Sequence, residues 1–158
     1  MVDPVENPSP EDIQRWHRTF APWFFNRTWE LMDQGGLDVD ERDEMLSSAF
    51  AQRAHWYQAG DARNRAIADW QVSRAAVLAG YPSLARHFAE RSLLVAAALD
   101  DPFVAGFAHE AIARAAALVD DAATFEAHLA SARELASRVD DEDERRVLTA
   151  DLEEMAAP

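Results

Sequence analysis

From about residue 9 onward, apolar side chains return every three or four residues, the spacing of helix faces, and nowhere alternate as in a half-buried strand. The pattern predicts an all-α chain of about seven helices. Ser9-Pro10-Glu11-Asp12 opens the first, with Ser9 as cap and acids in the first turn. That helix carries Trp16, Phe20, Trp23, Phe24 and Trp29; Pro22 is expected to kink or split it, and Gly35-Gly36 to end it. Asp38-Val39-Asp40-Glu41 resembles a capping box for a second helix bearing Met45, Leu46, Ala49 and Phe50, which closes near Gly60. Asp61 caps a third, with Ile67, Trp70, Ser73, Val77 and Leu78 along one side. Pro82 starts a fourth bearing Leu84, Phe88, Leu94 and Val95.

Residues 101–119, DPFVAGFAHEAIARAAALV, form the fifth, with Asp101 as cap and Pro102 at the first helical position. Only His109, Glu110 and Arg114 interrupt its apolar and small residues, and a helix apolar on nearly every side is buried on nearly every side. The rest of the chain is expected to wrap around it. Phe125, Leu129, Ala132 and Leu135 mark a sixth helix, and Val147, Leu148, Leu152 and Met155 a polar seventh. A lead-in at 1–8 and a single helical domain over 9–157 complete the expected organisation.

The breaks fall near 60, 80, 100, 120 and 140, giving a helix-hairpin period of 40 residues. A shift of 40 aligns Ser73 with Ala113, Arg74 with Arg114, Leu78 with Leu118, Gly80 with Asp120 and Ser92 with Ala132. Small residues at helix crossings and a turn residue between them are what a tight helical hairpin needs. On these residues, with Ala85, Ala89, Phe125 and Leu129, the stretch 61–139 resembles the tetratricopeptide-repeat-like family of α-solenoids. It departs in having a longer hairpin and in Phe125, where that family has a small residue. The resemblance implies antiparallel hairpins stacked into a solenoid whose first helices line a concave face. The whole chain also resembles small helical proteins of bacteria with GC-rich genomes, which implies no activity.

Composition narrows the chemistry. With 15 basic against 29 acidic residues the formal net charge is −14, which disfavours nucleic acid and anionic membrane as partners. No cysteine is present, so disulfides, thiolate nucleophiles and thiolate zinc sites are excluded. All the basic side chains are arginine, which excludes lysine Schiff bases and a P-loop lysine. The acidic, Pro-rich start MVDPVENPSP does not resemble a signal peptide, and Asp100-Asp101-Pro102 splits the longest apolar run, so a cytoplasmic location is expected.

No motif fixes a reaction. His109-Glu110 begins like a metalloprotease HExxH helix, but position 113 is alanine. His87 and Glu90 share a face without a third ligand, the five histidines are spread along the chain, and Asp140–Glu144 lacks the spacing of a calcium loop. No metal or cofactor is expected. On a concave face of successive first helices, Ile67, Trp70, Arg74, Phe107, Glu110 and Arg114 come together. They make either an internal Arg–Glu clamp or the floor of a ligand site. His55, Trp56 and Asn64, near Tyr57 and Arg65, form a second candidate at a helix end, or a histidine merely complementing a helix dipole.

The expected function is non-catalytic binding of a peptide or protein partner on the concave face. The alternatives are a small-molecule-binding protein or small enzyme with a pocket between the third and fifth helices, using His55 or His109 as acid or base, and a self-associating module. Trp16, Trp23 and Trp29 are expected on roughly one side of the first helix, as core or as a homodimer face.

Overall fold

A computed structural model of the chain describes residues 7–156. Residues 1–6 of the expected lead-in, and residue 157 at the expected end of the domain, lie outside the described residues. Among the described residues the fold is seven helices and no strand: α1 (Pro10–Gln34), α2 (Val39–Ala59), α3 (Ala62–Ala79), α4 (Pro82–Ala96), α5 (Pro102–Ala117), α6 (Ala122–Ala136) and α7 (Glu142–Ala156).

The caps are those the residues dictate. Ser9 accepts from the Asp12 amide, Asp38 and Glu41 close a capping box on α2, and Asp101 accepts from the Val104 amide ahead of Pro102. Pro22 neither splits nor ends α1, which runs unbroken from Pro10 to Gln34. The carbonyl it leaves unbonded belongs to Arg18, and both residues are exposed, so water can take the missing donor's place.

Each helix packs on its chain neighbours, and α1, α3, α5 and α7 also pack in sequence on one another. The two central helices, α3 and α5, are therefore covered on most sides. The core is not centred on α5 alone, as its apolar sequence implies. In α3, Asp69, Gln71 and Ser73 are buried among alanines, Val72 and Trp70. Their polarity conceals the burial, but each has a partner: the Gln71 amide donates to the Phe25 carbonyl, and Ser73 Oγ to the Ala85 carbonyl at 2.8 Å.

The 40-residue period is visible atom by atom at the helix ends. Gly80 stands in the left-handed region at φ 79°, with its amide on the Val77 carbonyl and that of Tyr81 on the Ala76 carbonyl. Forty residues on, Asp120 has φ 54°, its amide reaches the Ala117 carbonyl, and that of Asp121 the Ala116 carbonyl. Both are the same paired C-terminal cap. No helix among the described residues is long and apolar enough to cross a membrane.

Candidate functional site

Because α3 and α5 lie side by side with the same caps, residues 40 apart face one another. Trp70 Nε1 donates to Glu110 Oε2 at 2.8 Å, across the α3–α5 boundary. Arg74, one turn further along α3, donates from Nη1 to Glu110 Oε1 at 2.9 Å, and Arg114 Nε, one turn along α5, donates to the same oxygen. Glu110 has no exposed surface. Both its oxygens accept from the chain's own donors, three bonds in all, which makes the carboxylate a shared acceptor between α3 and α5. Asp151 of α7 stands 3.8 Å from Arg74. Burial raises its pKa above the ordinary carboxylate value, and the Arg74 charge opposes that rise.

Above this network lies a cavity of about 230 Å³. Phe25 and Trp29 of α1, Ile67 and Trp70 of α3, Phe103 and Phe107 of α5, and Val147 of α7 line it. The rings are in contact: Trp29–Trp70 at 5.7 Å between centroids, Trp70–Phe107 at 5.0 Å and Phe103–Phe107 at 5.0 Å. The polar groups at its wall turn away from it. Ser92 Oγ donates to the Ala66 carbonyl at 2.9 Å, and Trp70 Nε1 is committed to Glu110. At one edge Arg63 lies over the Phe103 ring at 5.5 Å and pairs with Asp101 at 2.8 Å and Glu144 at 2.6 Å, tying α3, α5 and α7 together.

Trp70, Arg74, Phe107, Glu110 and Arg114 thus come together, while the second set of candidates takes other partners. Asn64 closes the α3 capping box, its side chain accepting from the Asp61 amide at 3.1 Å. Trp56 is half-buried with its ring against the Gly60 turn. His55 faces α1: its Nδ1 lies 2.8 Å from Nδ1 of His17, and its ring stacks on Phe24. Burial and the His17 charge lower its pKa. His109 faces α6, with Nδ1 2.8 Å from Nδ1 of His128. Neither histidine lines the cavity.

Three features escape a reading of the sequence. The first is the contribution of α1 to the cavity. Trp29 and Phe25 turn inward while Trp16 and Trp23 are exposed, so the three tryptophans do not share one side. The six-residue step from Trp23 to Trp29 is about 600° of helix rotation, which leaves about 240° after one full turn, and this mismatch is the available signal. The second is Asp69, fully buried, which accepts from Arg53 Nε and from the Tyr57 hydroxyl, with Arg91 3.7 Å away. The third is the histidine pairing: four histidines spread along the sequence form two cross-helix pairs. His87 instead packs on Phe88, and its expected partner Glu90 pairs with Arg86. Among the described residues no group of three or more His, Cys, Asp or Glu side chains is placed to hold a metal ion. No family model, no curated protein and no solved structure matches the chain.

Proposed function

We propose that the chain is a non-catalytic binding protein of tetratricopeptide-repeat-like layout, whose inner face holds a compact apolar ligand in the aromatic cavity between α3 and α5. The layout reading rests on the order of contacts: odd-numbered helices pack on one another in sequence while even-numbered ones pack on their chain neighbours. A cytoplasmic location accompanies that reading.

The observation that carries the ligand reading is the aromatic cavity itself. An apolar cavity of about 150 Å³ is enough to take up benzene, and drug-sized ligands need roughly 300–1,000 Å³. At about 230 Å³ this one suits a single fused ring or a short branched alkyl group. Its walls offer no donor or acceptor aimed inward, so the recognised portion of the ligand is apolar and any polar portion stays at the mouth. The Glu110 network serves as the fixed floor: it pins the Trp70 ring, which in turn shapes the cavity.

A second reading keeps the same cavity as the socket for one apolar side chain of a peptide partner. It is favoured by the exposure of Val147, which opens the cavity to solvent. Both readings predict that Ile67→Trp, which fills the cavity, abolishes binding. Naphthalene and indole are expected to raise the melting temperature of the parent and to leave Ile67→Trp unmoved. If only short peptides carrying Trp or Leu do so, the socket reading stands. If neither probe class binds the parent, the cavity is packing space and the proposal fails.

A further inference from the structure

The long helix α1 carries an aromatic strip that the fold covers only in part. Phe25 and Trp29 turn toward α3, and Ala21, Thr28 and Leu31 are buried. Toward its N-terminus Ile13, Trp16, Phe20 and Trp23 remain 38%, 44%, 41% and 55% exposed, with Phe20 resting on His55 of α2. Their spacing of three, four and three is that of a coiled-coil seam, so they form one ridge along the helix. We propose that this ridge is a self-association surface, through which two copies of the chain join with their α1 helices antiparallel about a two-fold axis.

Three observations select a second copy as the occupant. The ridge exposes roughly 400 Å² of aromatic and aliphatic surface, at the size where apolar patches on soluble proteins mark interaction sites. As the core of an interface it leaves a polar rim to complete the usual area of about 800 Å² per partner. Second, an antiparallel pairing is self-complementary: Ile13 meets the partner's Trp23, and Trp16 meets the partner's Phe20, so each contact sets unlike shapes together. Third, the charge distribution permits the approach. In a chain of net charge −14, the flank beside the ridge carries Thr19 and Asn26, with Asp12 neutralised by Arg15 at 2.6 Å. Little charge is therefore stripped of water at the centre of the contact.

The outward side of α7 at the far end of the chain exposes Glu142, Asp143, Arg146, Glu153 and Glu154, with Val147 as its one large exposed apolar side chain, and offers no aromatic ridge to match that of α1. An isologous contact needs only one surface, and its symmetry closes it at a dimer. The acidity of the whole chain also sets anionic membrane aside as the ridge's occupant.

Sedimentation equilibrium across micromolar concentrations tests this. The parent is expected at twice the chain mass. Phe20→Glu and Trp23→Glu, at exposed positions, are expected at the chain mass with unchanged far-UV circular dichroism. The chain has no cysteine, so an introduced thiol reports one position. Thr19→Cys, on the flank beside the ridge, stands roughly 8–10 Å from its own copy and is expected to be joined to it by a bis-maleimide linker of that span. Arg18→Cys, on the far side of α1, is not. A monomeric parent throughout that range, a dimer that survives both ridge substitutions, or ridge-dependent binding to phosphatidylserine vesicles by a monomer would each overturn the proposal.

Discussion

The indole of Trp70 and the carboxylate of Glu110, 40 residues apart, are joined by a 2.8 Å hydrogen bond inside the α3–α5 boundary. The same carboxylate holds Arg74 and Arg114, so three side chains depend on one buried acceptor. Removing the buried acceptor from such a group strands its donors where little water reaches, the Arg74 and Arg114 side chains being 14% and 16% exposed, at a cost of about 3–5 kcal/mol. Glu110→Ala is therefore expected to shift a urea melt by that amount. Glu110→Gln should lose less, because the amide oxygen still accepts from Trp70. A loss below about 1 kcal/mol for Glu110→Ala, the range of exposed pairs, would contradict this role.

Gly80 and Asp120 occupy the same left-handed position of equivalent caps, with φ 79° and 54°. Glycine takes that conformation freely, whereas a Cβ there costs roughly 1–2 kcal/mol. Gly80 has open space where its Cβ would stand, so strain alone governs substitution. Gly80→Ala is expected to destabilise by about 1 kcal/mol and Asp120→Gly to stabilise by about 0.5–1 kcal/mol. Thermal melts of the two variants should move in opposite directions.

Gly106 has a different reason to be small. A Cβ there would stand 2.5 Å from Cδ2 of Leu148, the fully buried residue by which α7 docks on α5. Alanine would gain up to about 1 kcal/mol of helix propensity, yet overpacking costs roughly 1–3 kcal/mol. Gly106→Ala is expected to be net destabilising. In a Leu148→Ala background the clash is gone and the same substitution should become stabilising. A double-mutant cycle in urea reads this difference as a coupling energy; additivity would show that the two residues do not meet.

The helix ends are readable because their signals are local: Asp38 with Glu41, Asp101 with Pro102, and Gly80 before Tyr81-Pro82 act within four residues. The 40-residue period carries further, since it brings Trp70 and Arg74 to Glu110 without knowledge of any contact. What the sequence conceals is lateral. His17 and His55 meet only because α1 and α2 run antiparallel with a particular offset, and no spacing announces it. Asp69 reads as a surface residue until Arg53 and Tyr57 reach it from α2. The two faces of α1 defeat a count of aromatics, because Trp16 and Trp23 share a side that Trp29 does not.

The histidine pair of α5 and α6 makes stability depend on pH, with a sign set by its surroundings. Burial, then the neighbouring His128, lowers the pKa of His109; burial, then the Arg86 charge, lowers that of His128, while Glu90 of α4 opposes the shift. In the unfolded chain both return to about 6.5. As pH falls through that value the unfolded state binds protons that the folded state refuses, so stability falls with it, and it is complete above about pH 7. His55 adds the same sign on α2. Asp151, raised by burial, adds the opposite one, but as a carboxylate it titrates from a lower starting value. The parent is expected to lose urea resistance between about pH 7.5 and pH 5.5, and His109→Gln with His128→Gln to lose less over the same interval. Equal slopes for the two proteins would mean that the pair titrates alike in both states, whatever its Nδ1–Nδ1 contact of 2.8 Å.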